Sequence, residues 1–221
     1  MYILLSMSTS RPPISSGRSR QKRVGAALRE DTRNRLLEAA AEEFSTHGYV
    51  GSTVTRLAAA AGVSVQTLYL AWGSKRALLR GYMEYALADD LESPEDVGRR
   101  FTGMSPRERI TELAALVTEI AGRAATGWKL YGDAAAVDPE IAADWQELQT
   151  LRHGTFTRIL GDLPDSALAD GLTPQKAIDT AWTIASPESY DLLVRRLGYT
   201  LPEFQAWVEQ TLTAAILGYP H

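Results

Sequence analysis

The segment from Ser52 to Leu79 constrains this chain more than any other. It reads S-T-V-T-R-L-A-A-A-A-G-V-S-V-Q-T-L-Y-L-A-W-G-S-K-R-A-L-L. Val54, Leu57, Ala58 and Ala61 recur at the i, i+3, i+4, i+7 spacing of one helical face. Ala58 is small enough for a second helix to cross it closely. Gly62 takes positive φ at no steric cost and can stop the helix sharply. Ser64 suits the N-cap of the next helix, and Val63 and Leu68 are spaced as a hydrophobic staple. With Leu68 turned inward, Val65, Gln66, Thr67, Tyr69 and Leu70 fall on or near the open faces. A third helix starts at Ser74-Lys75. Two short helices about a tight turn have the shape of a helix-turn-helix, which reads DNA. The same spacing also suits an ordinary helical hairpin.

Charge at the helix starts bears on that choice. A helix N-terminus carries partial positive charge and favours Asp or Glu. Glu30 and Asp31 at the expected start of the first helix obey, as do Glu108, Asp138 with Glu140, and Glu203 further along. Arg56 in the turn after Thr53, and Lys75-Arg76 after Ser74, do not. A bound phosphate reverses the sign, because free N–H groups, the dipole and a cation all favour an anion. Plain tolerance of exposed cations is the competing explanation, and Lys176 after Thr173-Pro174 shows that it occurs.

Residues 33–79 resemble the DNA-binding domain of the TetR-type repressor family. The resemblance is carried by Phe44, Gly48-Tyr49, Thr53-Val54, Leu57-Ala58, Ala61-Gly62-Val63-Ser64, Thr67-Leu68-Tyr69, Lys75 and Leu78-Leu79. Trp72 stands where the family has Phe, which preserves an aromatic plug. Gln66 stands where a small residue is usual, so the reading surface is this chain's own. The resemblance implies a regulator that binds double-stranded operator DNA, with Thr53, Thr55, Arg56 and Lys75 on phosphates. Val65, Gln66, Thr67, Tyr69 and Leu70 then face bases or nearby backbone.

The net charge of −4 hides an asymmetry that fits a DNA partner. Residues 1–85 hold 12 Lys and Arg against 6 Asp and Glu, whereas residues 86–221 hold 11 against 21. A basic first part attracts phosphate, and an acidic remainder is held off it. Residues 1–28, rich in Ser, Pro and Arg, read as a disordered basic arm whose Arg18, Arg20, Lys22 and Arg23 could enter a minor groove. Residues 29–76 read as the DNA-binding domain, and residues 77–221 as a helical regulatory and dimerisation domain. No apolar run approaches the ~18 residues of a membrane span, and the chain has no Cys. A reducing cytoplasm is the matching location.

Helix 4 runs from Ser74 through Leu87, and a Pro/Gly-containing break follows from Ser93-Pro94 to Gly98. Later starts are marked by Ser105-Pro106-Arg107-Glu108, Asp138-Pro139, Thr173-Pro174 and Thr200 to Glu203. Ser186-Pro187 interrupts one pattern. No β-type alternation persists, so the expected fold is all-α with roughly nine helices.

By the same resemblance, the segments 173–185 and 200–217 pair two copies into a homodimer on a palindromic operator, and middle helices hold a small-molecule effector that releases the DNA. Met83, Leu87, Phe101, Leu116, Ile120, Trp128, Tyr131, Trp145, Phe156 and Trp182 are the candidate lining, which suits an apolar or aromatic effector. Each is also an ordinary core residue at helical spacing. An enzyme needs convergent polar groups, and no HExxH, Gly-x-Ser-x-Gly or phosphate-cradling glycine loop is present. His153 sits on a middle helix, where it could touch a ligand or serve structure alone. The sequence calls for no cofactor, no metal and no catalytic residue. A helical protein-interaction module, or a small all-α enzyme, remains the alternative.

Overall fold

A computed structural model describes residues 17–88 and 94–217, and their regular structure is helical throughout. The head consists of α1 (Gly17–Gly51), α2 (Val54–Ala60) and α3 (Val65–Trp72). The body follows with α4 (Lys75–Ala88), α5 (Pro94–Arg100), α6 (Pro106–Ala135) and α7 (Pro139–Leu160). After a short 3-10 turn come α8 (Pro174–Ile184), the single turn α9 (Pro187–Tyr190) and α10 (Leu201–Leu212). Wider π-type turns extend α9 through Arg196 and α10 through Leu217.

The caps read from the sequence form as expected. Ser105 and Thr200 complete capping boxes with Glu108 and Glu203. The Asp138 carboxylate accepts from the backbone N–H groups of Glu140 and Ile141, and Thr173 caps α8; Ser186, read from the sequence only as an interruption, caps α9. Each satisfies N–H groups that a helix start leaves without internal partners.

Three expectations are corrected. Residues 17–28 are not a disordered arm: they are the first turns of α1, and only residues 1–16 lie outside the described residues at that end. Gln21, Lys22, Arg23, Ala26, Ala27, Leu28 and Arg29 are strong helix formers, and one Gly25 among them does not stop the helix. With α1 starting at Gly17, Glu30 and Asp31 sit in its interior and no acid occupies its first turn. Finally, the break expected from Ser93-Pro94 to Gly98 is helical from Pro94, while residues 89–93 lie outside the described residues. Pro94 fits a first helical position, and Val97 and Phe101, one turn apart, are both buried against the body.

The core has two parts. One gathers Phe101, Ile110, Leu113, Phe156, Ile159, Ile178, Phe204 and Val208 from α5 to α8 and α10. The other joins head residues Leu36, Phe44, Leu57 and Leu68 to Leu78, Leu79 and Met83 of α4, and on to Trp128, Tyr131 and Ile141 of α6 and α7. Its packing runs straight through the boundary drawn at residue 76.

Candidate nucleic-acid interface and ligand cavity

The turn between α2 and α3 is built as its residues dictate. The Thr53 hydroxyl accepts from the Arg56 N–H at 3.2 Å and starts α2. Gly62 follows with φ +64°, and a Cβ there would meet Nη2 of Arg35 at 2.9 Å. Ser64 caps α3 by accepting from the Thr67 N–H at 3.0 Å. Leu57 and Leu68 are fully buried, so α3 is pinned on one side.

The opposite side of α3 is open. Gln66 is exposed, Tyr69 is 47% exposed and Leu70 is 81% exposed. Val65 and Thr67 are only half-buried flanks of that surface: Val65 leans on the head core, and the Thr67 hydroxyl lies 2.8 Å from that of Ser64. Thr53, Thr55 and Arg56 are exposed beside it. An open cleft of about 930 Å³ runs between α1 and α3, lined in part by Arg29, Arg33, Thr67 and Leu70.

Arg56 and Lys75 stand at helix starts, and the structure resolves that misfit within the protein. Arg56 donates to Glu43 through Nε (2.9 Å) and Nη2 (3.3 Å), and also meets His47. The pairing holds the Glu43 carboxyl below its ordinary range. The Lys75 ammonium donates to the carbonyls of Tyr49 (2.6 Å) and Ser52 (2.9 Å) and lies 3.9 Å from the centre of the Tyr49 ring. Burial lowers its pKa. It therefore caps the carboxyl end of α1, just past the break at Gly48, where φ is +67°.

Two arginines that sequence reasoning passed over do the same for the other head helices. Arg33 donates to the Ala71 carbonyl at 2.5 Å and stacks 3.7 Å from the Trp72 ring centre, at the end of α3. Arg35 donates to the Ala61 and Gly62 carbonyls at the end of α2. Cations there complement the negative end of the dipole.

The junction between head and body is close-packed and charged. A Cβ on Gly81 of α4 would meet the Trp72 ring at 2.1 Å, and one on Gly127 of α6 would meet the Met83 sulfur at 2.8 Å. Arg76, read from sequence as a misplaced cation, forks onto both Asp144 oxygens at 2.7 and 2.6 Å and reaches Glu140 at 2.6 Å. The Tyr131 hydroxyl donates to Asp144 at 3.2 Å. The Arg76 hydrogen bonds hold the Asp144 carboxyl below its ordinary range despite partial burial.

Beyond this junction lies an apolar cavity of about 420 Å³ among α4 to α7 and the α8–α9 connection. Five expected lining residues reach it: Leu87, Leu116, Ile120, Trp128 and Phe156. The other five do not line it. Met83 and Phe101 are filled core, Tyr131 serves Asp144, Trp145 packs on Trp128 and Tyr131, and Trp182 packs beside Arg152. His153 is engaged with Asp179 at 2.9 Å. Sequence reasoning missed the polar part of the lining, Arg152, Thr155, Arg158 and Ser186. The available signal was Arg152 four residues before Phe156, a cation inside the apolar stripe of α7.

A helix-turn-helix head is thus seated on a helical body that carries an apolar cavity. Residues 36–82 match the family described as bacterial regulatory proteins, tetR family. The HTH-type transcriptional repressor SCO4008 of Streptomyces coelicolor is 37% identical over 60 residues, 27% of this chain; the match spans only 31% of that protein's length. Over the whole fold the chain is similar to NalD, the secondary repressor of the MexAB-OprM multidrug efflux pump in Pseudomonas aeruginosa. The TM-score is 0.67 at 18% identity, covering 86% of this chain and 98% of NalD. The transcriptional regulator FadR of Bacillus subtilis, in complex with stearoyl-CoA, gives 0.60 at 17% identity over 84% and 98%. These relatives are transcriptional regulators, not enzymes, and the all-α fold read from the sequence is theirs. Among the described residues no helix is long and apolar enough to cross a membrane, and no His/Asp/Glu group is arranged to hold a metal.

Proposed function

We propose that this chain is a transcriptional repressor that binds a palindromic DNA operator as a homodimer and is released by a small molecule. One observation carries the reading: α3 is locked to the head by Leu68 yet presents Gln66, Tyr69 and Leu70 bare to solvent. The open face sets two adjacent large side chains, Tyr69 and Leu70, beside the amide of Gln66 on an eight-residue helix whose other side is buried. Residues 29–76 act as the reader, joined to a regulatory and dimerising body from residue 77. Thr53 and Thr55 position it on phosphates, while Val65, Gln66, Thr67, Tyr69 and Leu70 meet the groove. Arg56 and Lys75 act one step back, by holding the helices that carry those residues. The segments 173–185 and 200–217 supply the contact between copies, and the apolar cavity takes the effector.

The test is selection of bound duplexes from a randomised pool, with sedimentation of the free protein alongside. The expected outcome is a dimer and a two-fold site with half-sites about one helical turn apart. Gln66→Ala then costs about 1–3 kcal/mol and relaxes preference at one base pair of each half-site. A monomer, or a pool with no enriched sequence, overturns the reading.

A further inference from the structure

The cavity wall is apolar except at one end, where Arg152 enters it from α7. Its Nη2 donates to the carbonyls of Trp182 (2.6 Å) and Ala185 (2.8 Å) at the end of α8. The guanidinium lies 5.1 Å from the ring centres of both Phe156 and Trp182. These contacts fix its position and set two carbonyls and two rings, but no carboxylate, against its charge. Among the described residues no carboxylate comes within ion-pair distance of it, and its Nε and Nη1 make no hydrogen bond. Arg76, Arg100, Arg109 and Arg196 are each paired with a carboxylate. Glu188 acts on Arg152 only through space.

Burial brings its pKa down to about 10, so the group stays cationic at neutral pH in an apolar wall. A half-buried charge that no carboxylate pairs keeps part of its desolvation cost, and a bound anion relieves it. Arg158, exposed at the same wall, adds positive potential, and Thr155 and Ser186 bring hydroxyls to it. Arg is the side chain best matched to a carboxylate in shape and hydrogen-bond geometry.

We propose that the effector is an apolar organic acid, its carboxylate held by Arg152 and its body lying along the wall that includes Ile120, Leu116 and Trp128. This rests on the ligand-released reading and narrows its effector from any apolar molecule to an anionic one. A volume of about 420 Å³ lies within the ~300–1,000 Å³ range of small-ligand sites.

The experiment uses the full chain with dodecanoate and dodecan-1-ol, each below its micelle threshold. Binding is followed by the fluorescence of the tryptophans, of which Trp128 lines the cavity, and release is followed on the selected operator. The expected result is about 10- to 100-fold tighter binding of the acid. Arg152→Met abolishes that preference while leaving the alcohol's affinity within about threefold, and Arg152→Lys restores part of it. Thermal melts establish that the variants are folded, because Arg152 also caps α8. Equal binding of acid and alcohol by the wild-type protein overturns the proposal, as does a preference that survives Arg152→Met. If the alcohol binds as well as the acid and still releases DNA, the effector is not anionic but the repressor reading stands. If neither molecule binds nor shifts operator affinity, the acid proposal is overturned; a chain that still selects a two-fold site then remains a repressor with a different effector.

Discussion

Each helix of the head ends against a cation borne by another helix: Lys75 on α1, Arg35 on α2, Arg33 on α3. A hydrogen bond from a charged donor contributes about 1.5–3 kcal/mol, less where water competes. Lys75→Met is therefore expected to lower stability by about 1–2 kcal/mol. It should weaken DNA binding without changing the slope of log affinity against log salt, because no phosphate contact is lost. Melting and a salt titration check both; a slope reduced by about one restores the phosphate role. The sequence displays Lys75 at a helix start, where a cation is out of place. It does not display the carbonyls of Tyr49 and Ser52, which lie 26 and 23 residues earlier and are chemically like every other carbonyl. Partners of this kind cannot be read from side-chain patterns. Arg76 escaped for the same reason, its carboxylates lying 64 and 68 residues downstream.

At the scale of elements, α4 is the piece wedged between reader and body. Trp72 presses on Gly81 from the reading side, and Met83 presses on Gly127 from the other. Gly81→Ala puts a methyl carbon 2.1 Å from the half-buried Trp72 ring, which must shift to admit it. Such overpacking costs about 1–3 kcal/mol, and the variant should melt lower and bind operator more weakly. The family's usual Phe at position 72 is smaller, so Trp72→Phe in the same chain should recover part of the loss. Asp144→Asn tests the charged side of the wedge. Because Arg76 depresses the Asp144 pKa, the pairing stabilises the fold above the ordinary carboxylate value of about 3.9 and fades as pH falls through the lower folded value. The variant should melt below wild type at neutral pH, with the difference closing below about pH 4. A difference independent of pH counts against the ion pair as its source.

The whole molecule was legible where its signals were local. Caps at Ser105, Asp138, Thr173 and Thr200 named four helix starts correctly, because a cap and the N–H groups it serves lie within three residues; Ser186, read only as an interruption, caps α9 as well. The position before α1 lies outside the described residues, and the extension of α1 over residues 17–28 was read as unstructured. The cavity was half legible. Composition singled out aromatic and aliphatic residues, but filled core and cavity wall have the same composition, so Phe101 and Met83 were indistinguishable from Phe156 and Trp128. What separates them is how helices from α4 to α8 leave space, a property of the assembled molecule.

The shared core at the junction also limits how such a protein can be recombined. Leu36, Phe44 and Leu78 are buried with Trp128, Tyr131 and Ile141. A chimera joined at residue 76 would graft a reader onto a foreign α6 and leave half of that packing mismatched. A transplantable unit would have to carry its own α4 and the facing turns of α6, so an exchange of operator specificity between relatives is more readily made by point changes at Gln66, Tyr69 and Leu70 than by swapping heads.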